Sequence, residues 1–175
     1  MRNKKEKSRG TPCFPSGLTL DTRLHEMNKR LSRLAQRPYD LDLMQWFEGF
    51  TREFFDDDSS LTVIHHDTQD RIQAPRKFTI GRLLIPRFFR SLIDSHIMDL
   101  QFVVKESQDV ANPALNLVTL DCARMTMIAT YAQPVHMSVV TDCNLTCDFS
   151  CDDLKIKRWH MTVLRGREFV DRHLG

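Results

Sequence analysis

Glycine is scarce in this chain of 175 residues, with only six in all. None stands in a G-x-S-x-G elbow, a phosphate-cradling loop or a dinucleotide fingerprint. Sites of those types need glycine where backbone N–H groups must approach a phosphate or expose a nucleophile, so they are not expected here. No window approaches 18 consecutive apolar residues, which excludes a helical membrane span. The N-terminus lacks the apolar run of a secretory signal, and the protein is expected to lie inside the cell. The histidines match neither H-E-x-x-H nor a zinc-finger spacing. Cysteine is present in an odd number, Cys13, Cys122, Cys143, Cys147 and Cys151, and the five are expected to be reduced thiols packed as small hydrophobes. Cys143, Cys147 and Cys151 invite a zinc reading. They alternate with polar residues through Leu145 and Phe149, however, and on a strand such sulfurs stand roughly 13 Å apart, too far to share one ion.

What is present is enough apolar material for a core. The chain is 41% apolar and 27% charged, in keeping with one globular domain. The formal net charge of +2 conceals an asymmetry, because residues 1–10 carry +4 and the rest sums to −2. A slightly acidic body has little electrostatic pull on nucleic acid, so no direct nucleic-acid binding is expected. Residues 1–20 show no apolar period and read as a disordered basic tail, leaving 21–175 as a single domain.

Leu24, Met27, Leu31 and Leu34 recur at helical spacing, with Asp21 or Thr22 as N-cap and Pro38 beyond the end. A second helix, capped by Asp40, carries Leu43, Trp46, Phe47, Phe50 and Phe54 in one stripe. Gly49 inside it suggests close approach of another backbone. Asp56, Asp57 and Asp58 fall at the negative pole of that helix. They are expected either to end it in a solvated turn or to pair with Arg82, Arg87 or Arg90. Then the period switches to two, with Leu61, Val63 and His65 on one strand and Phe78 and Ile80 on the next. Pro86 starts a short helix with Phe88, Phe89, Leu92 and Ile93 inward.

The second half alternates throughout. Met98–Val104, Met125–Tyr131, Val135–Val139, Leu145–Cys151 and Trp159–Val163 read as strands, and Leu115, Leu117 and Leu120 suggest another with an irregular register. Turns are expected at Asn112-Pro113, Gln133-Pro134 and Asp142-Cys143-Asn144. Ile156 has the wrong parity for the face of Trp159, which a β-bulge near residue 157 would repair. Trp159 shares one face with Met161 and Val163 and reads as core. The basic residues around it then read as a solvated strand edge rather than a stacking platform. Helices followed by a curved antiparallel sheet make the fold class α+β. A cone of that kind can hold a buried carboxylate base. Asp121 is the residue to consider for an alternative reading as a cone-fold enzyme or small-ligand binder using the sheet cavity.

Four collinear blocks carry a family resemblance: Glu26 to Leu31, Trp46 to Asp58, Lys77 to Ser91, and Phe149 to Val163 with Asp152-Asp153-Leu154-Lys155-Ile156-Lys157-Arg158-Trp159-His160. Thr119-Leu120-Asp121-Cys122 and Gln133-Pro134 fall in order between them. Over roughly residues 22–170 the chain resembles the LIM-domain-binding cofactors, in their N-terminal self-association region. The resemblance implies a cone-like fold similar to nuclear transport factor two. It also implies a nuclear transcription adaptor, not an enzyme, with no cofactor or metal. Partners implied are a second copy through self-association, single-stranded-DNA-binding-protein cofactors, and, indirectly, LIM-homeodomain and LIM-only complexes. Family members continue past the block at Arg165-Gly166-Arg167-Glu168 with further self-association helices and the LIM-interaction segment. Direct LIM binding is accordingly not expected of these 175 residues, and competition with a full-length adaptor is. The partner-binding residues expected are Asp56, Asp57, Asp58, Arg82, Arg87 and Arg90, charges set among aromatics.

Overall fold

The computed structural model describes residues 19–38, 40–66 and 74–170, so the tail expected over 1–20 falls almost wholly outside the described residues. Helix α1 (Leu20–Ser32) is capped by Thr19, whose hydroxyl accepts from the Thr22 N–H, rather than by Asp21 or Thr22. It buries Leu20, Leu24, Met27 and Leu31, and a 3₁₀ turn at Arg33–Gln36 adds Leu34 to the same stripe. Helix α2 (Leu43–Phe54) is capped by Asp42 rather than Asp40, through hydrogen bonds from the N–H groups of Met44 and Gln45. Phe47, Phe50 and Phe54 are fully buried, and Trp46 half-buried stacks on Phe50 at 5.6 Å. Gly49 is exposed, and a Cβ there would meet nothing within 4 Å, so no backbone approaches it.

Six strands follow: β1 (Phe55–His65), β2 (Arg76–Gly81), β3 (Ile97–Asn112), β4 (Leu117–Tyr131), β5 (Met137–Ser150) and β6 (Ile156–Val170). A 3₁₀ turn (Arg82–Leu84) and helix α3 (Ile85–Asp94) join β2 to β3. The sheet order is β2-β1-β6-β5-β4-β3, antiparallel throughout except for the parallel pair β1 and β6. Strand β6 is therefore internal as far as Val163, so Arg158 and His160 lie on a face of the sheet, whereas Arg165 and Arg167 lie past the last residue paired with β1. Turns were expected at two places where strands run on. Phe55 enters β1 directly from α2, so Asp56–Asp58 lie in a strand. Asp142-Cys143-Asn144 sits inside β5, where Thr141, Cys143, Leu145, Cys147 and Phe149 keep one unbroken inward face. Asn112-Pro113 and Gln133-Pro134 do connect strands, the former through a 3₁₀ turn that includes Leu115.

Bulges bend this sheet, because an extra residue on one strand increases local twist. The pairing of β5 with β6 steps from Asp148 opposite Arg158 to Phe149 opposite Ile156, leaving Lys157 over. That bulge turns both Ile156 and Trp159 inward, as the parity of the sequence requires. A second lies in β4 between Cys122 and Met125, where the buried positions change from even to odd.

The helices fill the concave side. Phe89 contacts Phe47, Phe50 and Phe55 at ring separations of 5.2–6.2 Å, and Phe102 meets Trp159 edge-on at 5.2 Å. Burying one such aromatic contributes about 1.5–3 kcal/mol. Among the described residues the buried polar side chains are Thr51, Ser59, Thr62, Thr126, Thr141 and Ser150, none of them an acid or a base. Thr51 is satisfied within α2, its hydroxyl donating to the Phe47 carbonyl at 2.7 Å.

Candidate partner-binding surface

The six charged residues singled out from the sequence separate into two groups. Asp56, Asp57 and Asp58 lie at the start of β1, beside the bulge of β6. Lys157, the bulged residue, bonds Asp58 at 3.1 Å and reaches Asp56 at 3.4 Å. The hydrogen bonds that the Lys157 ammonium donates to Asp58 and Asp56 raise it above its ordinary pKa, against an opposing effect of burial. Partial burial acts to raise the Asp56 carboxyl. Hydrogen bonds from Asp58 and Lys157 and the ammonium charge outweigh it and hold the carboxyl below its usual value. Asp57 is exposed.

Arg82, Arg87 and Arg90 are elsewhere, on the 3₁₀ turn and α3. Arg90 pairs with Asp94 one helical turn on, at 3.4 Å. Arg87 is exposed, and the half-buried Arg82 has its Nε enclosed without a hydrogen-bond partner. The expected pairing between the aspartates and these arginines is not made, because the bulge puts Lys157 in their place. Lys157 is the partner of Asp56 and Asp58 that sequence reasoning missed. The parity defect at Ile156 located the bulge but did not say which strand would lie beside it.

The same turn exposes apolar side chains. Leu83 is 87% exposed, Leu84 46% and Phe78 on β2 39%. The Phe78 ring lies 6.2 Å from that of Phe88 on α3, so β2 and α3 share this surface.

Two grooves lie on the surface. One, of about 750 Å³, lies between α1 and β3 and is rimmed by Asp21, His25, Lys29 and Lys105. The other, of about 380 Å³, lies over β1, β5 and β6, where Asp148 accepts from Thr119 at 2.6 Å and Arg158 at 2.8 Å. Asp121, the carboxylate considered for a cone-fold enzyme, is exposed on β4. Cys122, Cys143 and Cys147 are free and buried, and burial raises each thiol, that of Cys143 to about 11. Cys151 departs from the expectation of reduced thiols, being disulfide-bonded.

A family model described as LIM-domain binding protein matches residues 22–174. The chain belongs to that family. LIM domain-binding protein 2 of Homo sapiens is 37% identical over 153 residues, covering 87% of this chain and 38% of that protein. LIM domain-binding protein 1 of Caenorhabditis elegans is 30% identical over 178 residues, covering 97% and 30%. The chain thus spans well under half the length of these relatives. Solved structures share its fold at low identity. The Kfla4162 protein of Kribbella flavida superposes with a TM-score of 0.51 at 12% identity, covering 84% of this chain and 92% of its own. Hexachlorocyclohexane dehydrochlorinase LinA-type3 of Novosphingobium barchaimii gives 0.50 at 12%, covering 89% and 95%. The fold is the α+β cone of nuclear transport factor two, and the fold alone is shared with enzymes.

Proposed function

We propose that this domain is a non-catalytic interaction module of a nuclear transcriptional adaptor. It joins LIM-protein complexes indirectly, by self-association and by holding single-stranded-DNA-binding-protein cofactors. The observation that carries this reading is the filled cone. Phe47, Phe50, Phe89, Phe102 and Trp159 are buried in the core, and the buried polar side chains among the described residues are hydroxyls. Such groups have no titration near neutral pH with which to run acid–base chemistry. Function then resides on the outer surfaces. Linking two complexes through one adaptor raises their effective concentration without any chemical step. Names of the relatives support the LIM-complex assignment, since they are called LIM domain-binding proteins.

The test is a pull-down with the tagged 175-residue chain, probed for an untagged copy of itself and for a single-stranded-DNA-binding-protein cofactor, with light scattering to give the stoichiometry. Capture of either supports the adaptor reading. Failure to capture both, together with saturable binding of a small apolar ligand inside the cone, overturns it.

A further inference from the structure

The segment from Arg76 to Ile93 contains five cations, Arg76, Lys77, Arg82, Arg87 and Arg90, and no carboxylate. Of these only Arg90 has an ion-pair partner among the described residues. The segment is one continuous piece of surface, since β2 leads into the 3₁₀ turn and the turn into α3 without a break. Leu83, Arg87 and Arg90 stand four and three residues apart along that helical run, a spacing that sets them on one side. Leu84 and Phe88 are likewise four apart, and Phe78 closes the ridge against Phe88. Strand β2 pairs only with β1, so its other edge is the margin of the sheet.

A solvated basic face does not need apolar tips among its charges. An 87%-exposed Leu83 next to a 46%-exposed Leu84 loses hydration free energy that covering would recover. The guanidinium groups of Arg82 and Arg87, with no ion-pair partner among the described residues, disfavour a cationic occupant and favour a carboxylate-bearing one.

We propose that the surface formed by β2, the turn at Arg82–Leu84 and the first turns of α3 is a docking site for an acidic peptide segment with interspersed large apolar residues. Carboxylates of the segment pair with Arg82, Arg87 and the Arg76–Lys77 end of β2, while its apolar side chains cover Leu83, Leu84 and Phe78. The inference rests on the domain being an interaction module, and it names the chemistry of one partner. Arg82 and Arg87 belong to this surface, whereas Asp56 and Asp58 are already paired with Lys157 and lie outside it.

The experiment is fluorescence anisotropy on the 175-residue chain with a fluorescein-labelled synthetic peptide of alternating glutamate and leucine. Two control peptides replace glutamate by lysine or leucine by serine. The expected result is saturable binding of the first peptide that weakens with added salt, with neither control binding comparably. Combining Leu83→Ser with Arg87→Glu, both at exposed positions, should weaken binding at least about tenfold with an unchanged melting temperature. Arg165→Glu, on the exposed end of β6, should leave it within about twofold. Absence of binding, equal binding of the lysine peptide, or indifference to the double substitution overturns the proposal. So does a dimer that dissociates to a monomer on the double substitution, which would make a second copy the occupant. Preferential binding of a thymidine oligonucleotide at the same residues also overturns it. Self-association and cofactor capture are read separately, so failure here leaves the adaptor reading standing or falling on its own test.

Discussion

Replacing Asn28 should destabilise the domain far more than its half-buried position on α1 suggests. Its amide is clamped to the backbone of edge strand β3: Nδ2 donates to the Phe102 carbonyl at 2.6 Å, and Oδ1 accepts from the Phe102 N–H at 2.9 Å. The side chain thus makes the two bonds that a neighbouring strand would make, and it holds α1 against the sheet at the level of Phe102 and Trp159. Each bond contributes about 0.5–1.5 kcal/mol net, so Asn28→Ala should cost about 1–3 kcal/mol. Water enters the adjoining groove and relieves the freed backbone groups, which holds the cost below that of two fully buried orphans. For a domain of this size that is a fall of roughly 2–12 °C in melting temperature. Asn28→Asp keeps the acceptor but turns an anionic oxygen toward the Phe102 carbonyl, and should cost at least as much. Urea denaturation by circular dichroism gives the difference directly, and amide exchange at Phe102 should accelerate in step. A change within about 0.5 kcal/mol for Asn28→Ala would refute the view that this clamp holds α1 to the sheet.

Gly49→Ala should stabilise the isolated domain by up to about 1 kcal/mol, because its added Cβ meets open space in the middle of α2; calorimetry reads the shift. Lys157→Met should cost no more than about 1 kcal/mol, as Asp58 is well exposed and Lys157 partly so. That cost should depend on pH at both ends. Asp56 is lowered in the folded state, so its contribution is present at neutral pH and disappears as pH falls through the lowered value. Lys157 is raised, so its contribution is intact below the ordinary lysine range and disappears as pH climbs through the raised value. Denaturation curves for both proteins across pH should therefore differ by a plateau that closes in acid and in alkali; a gap that persists at pH 2 contradicts the pairing. Finally, Cys122, Cys143 and Cys147 should resist a thiol-specific reagent at pH 8 and react once guanidinium unfolds the chain, since burial holds them as neutral thiols.

Much of the fold was legible because burial imposes its period on residue type. The leucine and methionine stripe of α1, the aromatic stripe of α2 and the alternation along β5 each name their inward faces. Even the bulge at Lys157 could be read from one misplaced isoleucine. Two features could not. Strands β1 and β6 are neighbours about a hundred residues apart in the chain and run parallel, and nothing local encodes that pairing. It is this pairing that brings Lys157 to Asp56 and Asp58 and so takes them from Arg82, Arg87 and Arg90. Turn residues misled at Asp142-Cys143-Asn144, where Cys143 facing the core outweighs the turn preference of its neighbours. Site reasoning named the arginines but not the exposed apolar side chains beside them. Leu83 and Leu84 precede a helix of apolar residues, and only the structure shows that the turn points them outward.

The central claim is that the cone is closed by its own side chains and that binding happens outside it. Equilibrium binding of a single-stranded-DNA-binding-protein cofactor to wild-type chain and to a variant with an enlarged interior, Phe102→Ala, tests this most directly at a temperature where both are folded. The account predicts matching affinities for the cofactor, and uptake of a small apolar ligand only by the variant. Ligand uptake by the wild type at a stoichiometric site, with no cofactor bound by either protein, would contradict it.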